Sequence, residues 1–144
     1  MLGQKVLLNQ MPIAIKDSKI DISSEETTKE LAKDLTHYLK GGEIIYLYGE
    51  MGVGKTTFVR HLINQFQKNK KSHITEVTSP TFNLLNEYDI NDLVIKHYDL
   101  FRLKDESEIK NLDLFENNQS TITLIEWPQL ISKNKSIKTI DLIF

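Results

Sequence analysis

The stretch Tyr46–Phe58, "YLYGEMGVGKTTF", decides the fold. Gly49, Gly54, Lys55 and Thr56 satisfy the pattern G-x-x-x-x-G-K-[ST], and Gly52 adds a third glycine. Glycines let a backbone turn tightly and approach an anion, so successive amide hydrogens from Gly52 to Thr57 can converge on one phosphate group. Upstream, "EIIYLY" is a continuous apolar run, the mark of a strand buried on both faces. Downstream, Val59, Leu62, Ile63 and Phe66 recur at helical spacing. Strand, loop and helix thus follow in the order a phosphate-binding loop needs, and the helix adds its positive dipole end and unpaired donors to the same spot. A glycine-rich turn with a solvent-facing lysine is the plainer reading, and the flanking strand and helix argue against it. The expected nucleotide contacts are therefore Glu50, Met51, Gly52, Val53, Gly54, Lys55, Thr56 and Thr57. Lys55 would reach the β- and γ-phosphates, the Thr56 hydroxyl would ligate magnesium, and Thr57 would brace the α-phosphate.

A magnesium-nucleotide site also needs carboxylates where neighbouring strands end. Asp99 follows "LVIKHY" and Glu126 follows "TITLI", each at the exit of an apolar run. Ile122, Leu124 and Ile125 make the cleaner lead-in, so Glu126 is the preferred metal ligand, direct or through water. Asp99 is then either a second metal contact or the group that orients an attacking water. The bland alternative for each is a strand-end residue capping a loop.

The rest of the chain is compatible with one domain. It has 144 residues, about the size of a single core. With 18 basic and 20 acidic residues and a net charge of −2, the whole molecule has no attraction for nucleic acid. Any RNA connection is expected through a partner. The absence of cysteine excludes disulfides, thiolate metal sites and cysteine nucleophiles. No apolar run approaches the roughly 20 residues of a membrane span, and the first residues lack a signal peptide's apolar core. A cytoplasmic protein without membrane association is expected.

Residues 1–17 carry no clear period and are left as a partly extended lead, with residues 18–144 forming the nucleotide-binding domain. "SKIDISSEETTKELAKDLTHYLKGG" reads as a short strand and a helix. Ser23 and Glu26 stand at capping-box spacing, Leu31, Leu35, Tyr38 and Leu39 form one stripe, and Gly41 is a plausible left-handed stop. Polar residues 67–73 close the helix after the loop. "TFNLLNEYD" and "VIKHYDLF" around "INDL" suggest a hairpin, "DESEIKNLDLF" one short helix, and "TITLIEW" and "SIKTIDLIF" two further strands. The expected fold is α/β: a single P-loop NTPase-like domain, three-layered with a mixed central sheet.

Small kinases share the loop but usually clamp the migrating phosphoryl group with several arginines, and this chain has only Arg60 and Arg102. A guanine-specific N-K-x-D element is absent, since "NKKS" and "NKSI" lack the aspartate. ATP is favoured by default. A small-molecule or nucleoside kinase, and a module whose nucleotide is structural, remain as alternatives.

"GEMGVGKTTF", "SPTF" at 79–82, "HYDLFRL" at 97–103 and "IEWP" at 125–128, in this order and spacing, resemble the TsaE (YjeE) family over about residues 20–130. The resemblance implies a magnesium-dependent ATPase, yielding ADP and phosphate, that supports tRNA threonylcarbamoyladenosine modification together with TsaD and TsaB, and meets tRNA indirectly through that complex. It matches Thr56 and Glu126 to the family's metal contacts, Lys55 to its loop lysine and Asp99 to the acid of its H-x-D-x-x-R pattern. It also places Ser24–Thr28 near the base. The chain ends at Phe144, so the resemblance supplies no base contacts from a longer tail.

The remaining motif residues have their own readings. Ser79 and Thr81 either sense the γ-phosphate or its water, or belong to an ordinary turn around Pro80. Trp127, the sole tryptophan, either reports nucleotide state, packs on a partner or is plain core. His97 and Arg102 flank Asp99, where a hydrogen bond or charge could hold that carboxylate ionised. An isolated strand histidine is more often simply packed. His37, His61 and His73 share no ligand spacing and read as surface residues.

Overall fold

The structure is a computed structural model that describes residues 5–8, 18–116, 118–131 and 138–144. Two short strands, β1 (Lys5–Leu8) and β2 (Ser18–Asp21), pair antiparallel, so part of the N-terminal lead is a strand lying beside the end of the chain. The rest of that lead lies outside the described residues. Helix α1 (Glu25–Leu35) follows, then β3 (Ile44–Tyr48), α2 (Lys55–Asn69), the hairpin β4 (Leu85–Ile90) and β5 (Leu93–Asp99), a short helix α3 (Glu106–Ile109) running into a 3-10 turn, β6 (Thr121–Glu126) and β7 (Thr139–Ile143). The first two residues of the expected last strand, 136 and 137, lie outside the described residues.

Five strands form one sheet in the order β4-β5-β6-β3-β7. β5, β6, β3 and β7 run parallel and β4 is antiparallel at the edge, giving the expected mixed sheet and hairpin. β3 and β6 are central, and their near-continuous apolar sequence follows from burial on both faces. Alternation along the strands separates two cores. Ile45, Leu47, Ile95, Ile122 and Leu124 face α1 and α2, meeting Leu31, Leu35, Phe58, Leu62 and Ile63. Ile44, Tyr46, Tyr98 and Ile125 face the other way and are covered by Leu100, Leu114 and the α3 region. Each fully buried leucine or isoleucine stabilises by about 1.5–3 kcal/mol, so the layer with two long helices carries most of the burial. No helix among the described residues is long and apolar enough to cross a membrane.

Three local expectations need correction. Ser24, not Ser23, is the N-cap of α1: its backbone is extended and its hydroxyl accepts from the Thr27 amide at 3.2 Å. The Ser23 amide instead donates to Asp21 Oδ1 at 2.9 Å, which places Ser23 before the helix. The helix ends at Leu35 with Thr36 as its C-cap, so Tyr38 and Leu39 pack from the following turn. Gly41 therefore does not stop the helix. It lies, with φ +120°, where a Cβ would fall 1.7 Å from the Gln119 carbonyl oxygen, and so allows two loops to touch. Buried Glu43 fixes this crossing by accepting from the Lys40 amide at 3.1 Å and the Gly41 amide at 2.8 Å.

Candidate functional site

The helix-facing rows of β5 and β6 change character along their length. Ile95, His97 and Asp99 follow one another on β5, and Ile122, Leu124 and Glu126 on β6, apolar first and ionisable at the carboxyl end. Asp99 pairs with Glu126 in register, and Leu47 of β3 lies beside Glu126, so both acids reach the point where the glycine loop begins. A cleft of about 300 Å³ opens there. Met51, Gly52, Gly54, Lys55, Thr56 and Thr57 line it from the loop, and Ser79, Thr81, Asp99, Glu126 and Trp127 from elsewhere. The structure thus brings together the expected lysine, threonines and both acids. Glu50 and Val53 of the expected loop contacts are not among the lining residues.

Helix α2 begins at Lys55 with Gly54 as its N-cap at φ +104°, and no side chain among the described residues caps its first amides. Those donors and the helix dipole remain available to an anion. A Cβ on Gly52, at φ +77°, would meet nothing within 4 Å among the described residues beyond its chain neighbours, so it would stand in open space.

Lys55 is buried, donates to the Gly49 carbonyl, and holds its ammonium 3.8 Å from the centre of the Trp127 ring. Burial lowers its pKa, while the charges of Glu126, Asp99 and Glu50 push it back up. Trp127 itself has φ +57°, an unusual backbone for a bulky residue, and opens the 3-10 turn Pro128–Leu130. Its ring lies against Phe101, centroids 4.9 Å apart. Of the readings open for this residue, the structure shows a half-buried wall of the cleft. Phe101, which also lines the cleft, was not singled out in the sequence; its place inside the "HYDLFRL" motif was the available signal.

Neither flank of Asp99 binds it. His97 Nε2 lies 2.6 Å from Glu126 Oε2, both groups being buried. His97 stands opposite Leu124 in register, so a side chain leaning along the strand meets the next residue of that row, Glu126. Arg102 donates to the Thr81 carbonyl at 2.6 Å and to that of Phe82. Asp99 accepts instead from Ser79 Oγ at 3.1 Å and from the Phe101 amide at 3.0 Å. Asp99 and Arg102 together grip residues 79–82, whose turn is closed by the Leu84 amide donating to the Pro80 carbonyl at 2.8 Å.

The Thr56 hydroxyl and Glu126 Oε1 make no hydrogen bond among the described residues. They offer the hard oxygen donors that suit Mg²⁺. No cluster of three or more His, Cys, Asp or Glu side chains fit to hold a metal occurs among the described residues. A cation here would therefore depend on phosphate oxygens and water as well, which is the usual habit of magnesium. The segment Ser24–Thr28, none of whose residues is among those lining the cleft, opens α1 and is tied to α2 by Glu25, which accepts from Arg60 at 2.8 Å and pairs with His61 at 2.9 Å. His61 is thus a half-buried partner of Glu25, whereas His37 and His73 are exposed as expected. The hydrogen bond with His61 is the main cause holding Glu25 below the usual carboxylate range.

Comparison with known proteins gives consistent matches. The family described as "Threonylcarbamoyl adenosine biosynthesis protein TsaE" matches residues 22–144. A protein from Rickettsia conorii described as tRNA threonylcarbamoyladenosine biosynthesis protein TsaE is 44% identical over 76% of this chain and 61% of its own length. Proteins of the same description from Aquifex aeolicus and Bacillus subtilis are 37% and 35% identical over 77% and 83% of this chain, and over 77% and 72% of theirs. The match thus spans less than two thirds of the Rickettsia conorii relative. Among solved structures, a crystal structure of Bacillus subtilis YdiB superposes with a TM-score of 0.52 at 26% identity, over 74% of this chain and 62% of that one.

Proposed function

The chain belongs to the TsaE family, and from that premise we propose that it is a P-loop, magnesium-dependent ATPase. In this reading it serves as a nucleotide-driven switch in tRNA threonylcarbamoyladenosine modification, in the cytoplasm, with TsaD- and TsaB-type partners. The observation that carries the reading is the meeting of Lys55, Thr56, Asp99 and Glu126 with the uncapped start of α2 around one cleft. Loop amides hold the β-phosphate, and the α2 dipole adds to their field. Lys55 leaves the Gly49 carbonyl and the Trp127 face to reach the β- and γ-oxygens. Thr56 and Glu126 would hold the magnesium, which would supply neutralisation of the charge developing in phosphoryl transfer. Both oxygens of Asp99 already accept one hydrogen bond, and their remaining lone pairs orient the attacking water. Relatives of this chain carry the modification in their description, which supports placing it in that process with tRNA approached through the complex.

The test is ATP turnover by the purified chain, alone and with TsaB and TsaD, with identification of products. ADP and phosphate, with turnover raised by the partners, support the switch. A phosphorylated acceptor would establish a kinase instead, and ATP bound but never consumed a structural nucleotide. Lys55→Ala is expected to abolish turnover, and Glu126→Ala to weaken magnesium dependence while leaving the fold intact. Unchanged turnover in both variants would overturn the reading.

A further inference from the structure

Of the four histidines, His97 alone is fully buried, with no exposed surface, and its Nδ1 has no hydrogen-bond partner among the described residues. An ionised carboxylate only accepts, so the 2.6 Å contact with Glu126 Oε2 requires a hydrogen on Nε2, and Nδ1 is left without a partner among the described residues. Packing does not call for this arrangement: an isoleucine or leucine in the same row would leave no unpaired nitrogen inside. What the imidazole supplies is one bond, to one oxygen of one acid. That acid lines the cleft, and its other oxygen, Oε1, makes no hydrogen bond among the described residues. A glutamate not held this way would have the Lys55 ammonium as its opposite charge, since Glu126 heads the charges acting on that lysine. Pairing there would occupy the cation meant for phosphate and the oxygen meant for metal.

We propose that His97 is a positioning residue: by holding Glu126 Oε2 it keeps Oε1 turned toward the divalent cation of a bound nucleotide. The proposal rests on the functional reading of the cleft and adds a residue that never touches nucleotide. Partners behind a metal-binding side chain typically change metal affinity 10- to 100-fold when removed.

Two conservative variants separate positioning from packing. The side-chain amide nitrogen of glutamine reaches about as far as Nε2, and that of asparagine only as far as Nδ1. Binding of a non-hydrolysable ATP analogue, measured by calorimetry across a Mg²⁺ series and again in EDTA, should give three results. His97→Asn needs at least about tenfold more Mg²⁺ for half-maximal enhancement. His97→Gln stays close to wild type. All three proteins bind equally in EDTA. Wild-type Mg²⁺ dependence in His97→Asn, or equal impairment in both variants, overturns the inference and leaves the functional reading standing. No Mg²⁺ enhancement in the wild type overturns that reading and the inference with it. A second measurement needs no variant. The ¹H–¹⁵N signal of His97 Nε2–H should move when Mg²⁺ and the analogue are added together but not with the analogue in EDTA, and a signal blind to the cation overturns the inference.

Discussion

Lys55 has two partners that a nucleotide would have to replace, the Gly49 carbonyl and the face of Trp127. A cation over an indole is worth on the order of 0.5–2 kcal/mol, comparable with a charge-assisted hydrogen bond, so the exchange is feasible only if phosphate offers more than one such bond. Because Trp127 is the sole tryptophan, its emission should change on titration with ATP. In Lys55→Ala the change should vanish at the concentrations that saturate wild type, with affinity roughly 10- to 100-fold lower. An unaltered emission titration in that variant would place the lysine away from the phosphates.

At the scale of elements, the cap of α1 offers a direct comparison of two adjacent serines. Ser24→Ala should cost about 1 kcal/mol, lowering the melting temperature by roughly 3 °C, whereas Ser23→Ala should be within about 0.5 kcal/mol of neutral. Thermal unfolding of the two variants checks the assignment. The sequence could not separate them, since both carry hydroxyls and only the backbone angles decide which accepts from the helix. Elements built on long patterns, β3, α2 and β6, were legible because burial on two faces or one stripe leaves a mark in composition. The partners of His97 and Arg102 were not, because they depend on the register between β5 and β6 and on where the 79–82 turn returns. Removing one end of that grip, in Arg102→Ala, should quicken amide exchange at residues 81–84 several-fold while leaving β5 and β6 protected. Equal protection in both proteins would show that the turn holds itself.

For the molecule as a whole, the sheet is bound to its thinner layer partly through Tyr98, whose hydroxyl donates to the Leu112 carbonyl at 2.9 Å. Burial, followed by the charges of Glu87, Asp113 and Glu116, pushes this hydroxyl from its ordinary value of 10.0 up to about 12. The folded state therefore holds the proton more tightly than the unfolded chain. The resulting stabilisation is complete below about pH 10 and is lost as pH rises through about 12, a change on the order of 2 kcal/mol. Urea unfolding at about pH 9 and about pH 11.5 should show the decline in wild type and a shallower one in Tyr98→Phe. Parallel declines would assign the alkaline loss to other groups. A different consequence follows from the open space beside Gly52, where an added methyl would meet none of the described residues beyond its chain neighbours. In Gly52→Ala the host should lose only about 1 kcal/mol to torsional strain, while the guest meets the obstruction directly. Melting of the empty protein would then shift by a few degrees, and the extra protection conferred by ATP would largely disappear.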